Sequence, residues 1–202
     1  MSQPTRYLTK SRFKLALECP TKLYYTGKPD VYSNARAEDA FMQALAEGGF
    51  QVGELAKLMF PGGVEVTARD QDLQVQETTD LLQLEDVTIF EGAIRYGNLF
   101  ARVDVLRKRG AHVELIEVKA KSFDSTDSAG FRTRSGGIDA GMLPYLQDIA
   151  FQRHVFALAH PHLEVNCQLM LADKSKTCSV NGLNQLFKIR RNGARPVVEV
   201  SP

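Results

Sequence analysis

From residue 86 onward the chain changes its hydrophobic period. Three successive stretches, DVTIFEGAIRY, LFARVDVLRK and HVELIEVKA, alternate apolar and polar side chains and are separated by short connections at Gly97-Asn98 and Arg109-Gly110. Alternation at period two is the signature of a strand with one face against a core. Connections this short join only antiparallel neighbours, because a parallel return needs a crossover of a dozen or more residues. These residues therefore predict a three-stranded meander.

Helical patterns surround the meander. Thr9 or Ser11 is placed to cap a first helix that Pro20 stops near Cys19, and TKLYYTG follows as a short turn. From Asn34 to Phe60, apolar residues at three- and four-residue spacings (Ala37, Ala40, Phe41, Leu45, Val52, Leu55, Ala56, Met59) read as helix, interrupted near Gly48-Gly49 and ended by Pro61-Gly62-Gly63. A short strand at 64–67 and a polar helix over 70–84 lead into the sheet. Beyond it, a Ser/Asp/Gly-rich loop over 122–142 precedes a helix from Leu143 to Ala159 and a strand-like EVNCQLML. The expectation is one domain spanning 1–202, with a helical part at 1–60 and a sheet core at 64–180.

No run reaches the roughly 18 apolar residues of a membrane helix, and the first twenty residues lack a secretory apolar region, so a cytoplasmic protein is expected. Three scattered cysteines (Cys19, Cys167, Cys178) give neither a disulfide framework nor a zinc spacing. The formal net charge of +1 conceals a segregation. Residues 1–28 and 173–195 each carry six Lys/Arg against a single acid, whereas residues 36–91 carry twelve acids against three bases. Basic ends flank an acidic middle.

The charges inside the meander bear most directly on chemistry. Alternation puts Asp104 on the face of Phe100 and Arg102, and puts Glu117 and Lys119 together on the next strand, although Ile116 and Val118 make that strand look buried on both sides. With the turn centred on Arg109-Gly110, Asp104 stands diagonal to Glu117; a turn one residue later sets the two directly opposite. Either register lets both carboxylates share a cation. Two carboxylates and the main-chain carbonyl of Val118 are hard oxygen donors of the kind Mg²⁺ prefers, and Lys119 beside them suits orienting a water for attack on phosphorus. The alternative for the same residues is a buried ion-pair cluster without catalytic duty.

Asp104 and, after twelve intervening residues, Glu117-Val118-Lys119 resemble the D…(D/E)xK signature of the PD-(D/E)XK nuclease superfamily, with Val103 where the name places proline. The chain is similar to the RecB-like branch of that superfamily, which includes CRISPR adaptation nucleases. LTKSRFKLALECPTKLYY resembles the branch's N-terminal segment, and PYLQDIAFQRHVF its glutamine motif, with Gln152 matching and Phe156 replacing the tyrosine. The likeness runs over roughly residues 8–187. GELAKLMFPGG and NGLNQLF have the flavour of bacterial members that join such a domain to a second, exonuclease-like one, which implies that this chain is the first domain of a longer parent.

The resemblance implies an α/β fold with a restriction-endonuclease-like core, a central mixed sheet flanked by helices. It implies a Mg²⁺- or Mn²⁺-dependent deoxyribonuclease with Asp104, Glu117, Lys119 and Gln152 as catalytic residues and Glu54, Asp104, Glu117 and Val118 holding the metal. Tyr145, Asp148 and Gln152 share one helix face, which in the family abuts the site. In several members a cysteine at the position of Cys19 joins three others around a 4Fe-4S cluster; this chain has only Cys167 and Cys178 besides, without clustered spacing, which argues against a cluster in this chain. The expected partner is DNA, single-stranded or at duplex ends, met by Arg12, Lys14, Lys22, Tyr24, Tyr25, Tyr145, Lys188, Arg190 and Arg191, in a setting of DNA repair or phage defence. A catalytically silent nucleic-acid-binding or assembly module of the same fold is the alternative. A small-molecule enzyme ranks below both, since the chain has no GxGxxG, Walker motif or nucleophile elbow.

Overall fold

The computed structural model describes residues 6–28, 30–33, 40–191 and 196–201. The start of the helical pattern at Asn34, with Ala37, and the basic Arg195 lie outside the described residues. In chain order the elements are β1 (Leu8–Thr9), α1 (Lys10–Glu18), α2 (Pro20–Tyr25), α3 (Ala40–Leu58), β2 (Val64–Glu65), α4 (Gln71–Leu81), β3 (Asp86–Tyr96), β4 (Leu99–Arg109), β5 (His112–Phe123), α5 (Leu143–Ala159), β6 (Glu164–Asp173), a 3-10 turn (Leu183–Leu186), β7 (Phe187–Arg191) and β8 (Pro196–Val200). Among the described residues no helix is long and apolar enough to cross a membrane.

The chain divides into two units. Met1–Asn34, Gly62–Glu117 and Ile138–Leu169 form the first; Ala35–Pro61, Val118–Gly137 and Met170–Pro202 form the second. The mixed sheet runs β2-β3-β4-β5-β6, with β1 also pairing β4. The predicted meander is its centre: β3 and β4 are antiparallel, as are β4 and β5, while β1 lies parallel to β4 and β2 parallel to β3. Helices flank the sheet, giving the expected α/β architecture.

Local chemistry explains the boundaries. Thr9 caps α1 by accepting from the Arg12 amide, and Asp70 caps α4 by accepting from the amides of Asp72 and Leu73 at 2.9 and 3.1 Å. Cys19 is extended between α1 and α2, and Pro20, which cannot continue the first helix, supplies the first turn of the second. Thus the segment expected as a turn is a short helix. Thr78, buried in α4, donates to the Gln74 carbonyl at 2.8 Å and accepts from the Ala93 amide at 2.9 Å, fastening α4 to β3.

The core belongs to the first unit, where Ile89, Ile94, Val103, Leu106, Val113 and Leu115 of the strands meet Phe151, Val155 and Phe156 of α5. At about 1.5–3 kcal/mol for each large apolar side chain fully buried, this layer dominates the stability of the unit. In the second unit, β7 and β8 form an antiparallel hairpin, and Gln51 of α3 donates to the Phe187 carbonyl at 2.7 Å.

Two expectations are corrected. The break at Gly48-Gly49 does not occur, because two glycines weaken a helix without interrupting its hydrogen bonds, and α3 continues through them. The β4–β5 connection is Gly110-Ala111 rather than Arg109-Gly110, since Arg109 pairs with His112. Gly110 takes φ +56° at the first turn position, a conformation glycine adopts readily. This is the later of the two registers left open by the sequence.

Candidate active site

The observed register decides how the charges meet. Val105 pairs with Ile116, so one step further sets Asp104 across from Glu117. On its other side, Phe90 pairs with Val105 and Gly92 with Val103, so Glu91 is the residue across from Asp104. Three carboxylate-bearing positions thus form one row across β3, β4 and β5. Like charges at directly opposed positions repel, and the fold supplies cations to the row.

Glu117 is the innermost member and is fully buried, in the consecutive buried run Leu115, Ile116, Glu117. Its two oxygens have different partners. Lys10 Nζ donates to Oε1 at 2.7 Å, and Gln152 Nε2 donates to Oε2 at 2.5 Å. Burial alone would lower the pKa of Lys10, but the charges of Glu117, Asp104 and Asp148 and the hydrogen bond from Lys10 to Glu117 outweigh it and hold the ammonium above the usual lysine range. Lys10 owes its place to the start of α1, where the Thr9 cap turns the chain from β1 into the helix.

Helix α5 supplies the facing layer. Asp148 and Gln152, one turn apart, are both buried, so the polar face predicted there is not a solvated stripe; Tyr145, one turn earlier, is half-buried. Lys14, four residues after Lys10 on α1, reaches Asp148 Oδ2 at 3.2 Å. Gln152 Oε1 is buried and accepts no hydrogen bond among the described residues. An orphaned buried amide oxygen is uncommon in a folded protein and calls for a donor or a cation.

The donor set suits a hard cation. Asp104, half-buried and opposite Glu117, and the unmet Gln152 oxygen beside Glu117 are oxygen ligands of the class that Mg²⁺ and Mn²⁺ take, and Mg²⁺ needs only one or two carboxylates with water completing its shell. Among the described residues no three His, Cys, Asp or Glu side chains form a group able to hold a metal ion. Glu54, expected as a further ligand, lies on α3 in the second unit and accepts from Lys57 Nζ at 2.6 Å. Val118 and Lys119 open the second unit on β5, both partly exposed, with Lys119 following Glu117 by two residues along the strand.

The expected polyanion contacts divide by environment. In the first unit Arg6, Tyr7, Leu8, Arg12, Leu23 and Tyr24 line a cavity of about 360 Å³. Tyr24 and Tyr25 are exposed, and Lys28 Nζ sits 4.0 Å over the Tyr24 ring. Arg12 Nη1 donates to the Tyr7 carbonyl at 2.5 Å, and Lys22 pairs with Glu18 at 2.7 Å. Lys14 is committed to Asp148, so it stands as a counter-ion of the site rather than as a surface contact. In the second unit Lys188 and Arg190 are exposed on β7, Arg190 reaching Glu199 at 2.9 Å, and Arg191 ends that strand.

Sequence reading did not find Lys10, Glu91 or Arg102. Lys10 is 107 residues from its partner, and only the capping signal at Thr9 fixed where α1 begins. The cysteines lie apart in character: Cys19 and Cys167 are half-buried and Cys178 is exposed. No protein-family model matches the chain, and no curated protein is similar to it.

Proposed function

We propose that this chain is a metal-dependent nuclease that hydrolyses phosphodiester bonds of DNA, single-stranded or at duplex ends, in the cytoplasm. The observation that carries the proposal is Glu117: a fully buried carboxylate in register with Asp104, gripped by Gln152 whose own oxygen is unmet. Burying a carboxylate is costly unless charge and hydrogen bonds compensate it, and here both do. Asp104 and Glu117 are the residues to hold Mg²⁺ or Mn²⁺, with the Val118 carbonyl as a further oxygen. The cation supplies Lewis acidity for attack of water on phosphorus.

The protein's own part is positional and electrostatic. Gln152 holds one oxygen of Glu117 and Lys10 the other, which fixes the carboxylate in its buried place. Lys119, two residues beyond Glu117, steadies the attacking water and the negative charge that grows on the phosphate. Tyr24 and Tyr25 offer faces for unpaired bases, and the exposed bases of β7 offer phosphate contacts.

One observation favours the alternative of a silent binding or assembly module: an ammonium already neutralises Glu117. Cleavage of end-labelled single- and double-stranded DNA with Mg²⁺, Mn²⁺ or EDTA decides between them. Cation-dependent products from wild type, absent in Asp104→Ala and Glu117→Ala, are expected; DNA binding without cleavage under every cation condition selects the silent module.

A further inference from the structure

Glu91, in the interior of β3, has φ +56°. A residue with a Cβ is strained in this left-handed conformation, and such strain persists where the surroundings enforce it, often at ligand sites. The carboxylate of Glu91 meets Arg102 Nη2 at 2.5 Å, and each side chain is about one third exposed. Arg102 Nε, in contrast, is buried and finds no acceptor among the described residues. Both side chains, with Lys10, Ser11 and Asp104, line a cavity of about 380 Å³.

A guanidinium that lines the same cavity as Asp104, and whose carboxylate partner Glu91 is open to solvent, points to an anionic ligand with several acceptor oxygens. The planar fork of arginine matches phosphate through paired hydrogen bonds, which a carboxylate held through Nη2 alone does not exhaust. We propose that Arg102 is the phosphate-binding residue of this cavity and that Glu91 is an internal anion that a substrate phosphate displaces. The inference rests on the nuclease reading, because it names how the phosphate is seated beside Asp104. The Glu91–Arg102 pair is solvent-screened, so exchanging one anion for another costs little. A phosphate bound at Nη2 would take the place of the Glu91 carboxylate and leave Glu91 to relax into solvent.

The test is binding in EDTA, which separates it from catalysis. Fluorescence anisotropy of a labelled single-stranded oligodeoxynucleotide should show Arg102→Ala binding about tenfold more weakly than wild type, the size of one lost charge-assisted contact. Arg102→Lys should fall between the two. Glu91→Gln should bind about two- to fivefold more tightly, since the competing anion is gone. Inorganic phosphate as competitor distinguishes a free-phosphate site from one that needs a polynucleotide: displacement in wild type that is lost in Arg102→Ala assigns free phosphate to the same residue.

Equal binding by wild type and a natively folded Arg102→Ala, judged by circular dichroism, overturns the proposal, and so does weaker binding by Glu91→Gln. If Arg102→Ala does not fold, Glu91→Gln decides alone, because it leaves the guanidinium in place. Cleavage with Mg²⁺ or Mn²⁺ is scored separately. A chain that binds through Arg102 yet cuts nothing retains this inference and discards the nuclease.

Discussion

Lys10 and Glu117 form the most consequential pair of side chains in the first unit. Glu117 is fully buried and Lys10 is 23% exposed, so little solvent screens their contact. Lys10→Met takes the ammonium away from a fully buried carboxylate, so it should lower stability by about 3–5 kcal/mol, and Lys10→Met with Glu117→Gln should recover part of that loss. Denaturant melts of the two single variants and the double variant check it. The pH dependence has a definite sign. Because the folded state holds the Lys10 ammonium above its unfolded value, its contribution is complete below the ordinary lysine pKa of about 10.4 and is lost as pH climbs through the folded value. Wild type should therefore lose a stability increment in that alkaline window that Lys10→Met never had. On the proposed nuclease reading, Lys119 acts on the reaction rather than on the fold. Lys119→Ala should slow single-turnover cleavage by roughly 10²–10³ while leaving Mn²⁺ affinity unchanged, as an ammonium cannot ligate a cation. Wild-type rates in that variant at saturating Mg²⁺ would make the lysine a counter-ion only. Cys19 offers a simpler check. Hydrogen bonds from the Lys22 and Thr21 groups lower its pKa, whereas burial raises that of Cys167, so iodoacetamide near neutral pH should alkylate Cys19 ahead of Cys167, read by peptide mass spectrometry.

Among the elements, α3 carries an avoidable cost. Gly48 and Gly49 lie inside a nineteen-residue helix, and a Cβ added at either would meet nothing within 4 Å. Gly49→Ala should raise stability by about 0.5–1 kcal/mol, seen as a higher midpoint of thermal unfolding. The same helix shows where local signals mislead, for the glycine pair looked like a break, yet hydrogen bonding through it survives. Where pattern and burial agree, the elements were legible: β3, β4 and β5 follow from alternation, and α5 from an uninterrupted apolar period between a proline-marked start and His160. The strands β1 and β7 were not, because FKIRR mixes charge with apolar residues over only five positions and β1 has only two. Site geometry was legible along strands and opaque between them. Asp104 and Glu117 announce themselves by alternation along their strands and Gln152 by its resemblance to a family motif, whereas Lys10 and Arg102 acquire meaning only from the β4 register and the Thr9 cap. Glu91 carries no local sign at all, since a left-handed residue in a strand normally implies glycine.

At the scale of the whole chain, the basic residues that suggested a polyanion partner serve two different ends. Lys10 and Lys14 are drawn onto buried acids, and their charge holds the first unit together. Lys188 and Arg190 are exposed on β7 of the second unit, with Glu199 across from Lys188 in the hairpin. Only charges of the second kind can release counterions from DNA, and each phosphate neutralised contributes about 0.7 to the slope of log affinity against log salt for a single strand. Lys188→Ala should accordingly lower the affinity for single-stranded DNA and reduce that slope by about 0.7, with the unfolding midpoint unchanged. Lys14→Ala should do the reverse, lowering the midpoint because Asp148 is left buried without its ammonium, while the salt slope stays at the wild-type value. Anisotropy titrations over a range of KCl concentrations, paired with thermal melts, read both quantities. If Lys14→Ala flattens the slope and Lys188→Ala does not, the phosphate backbone runs over α1 rather than β7, and the division of the basic residues into structural and contacting sets has to be redrawn.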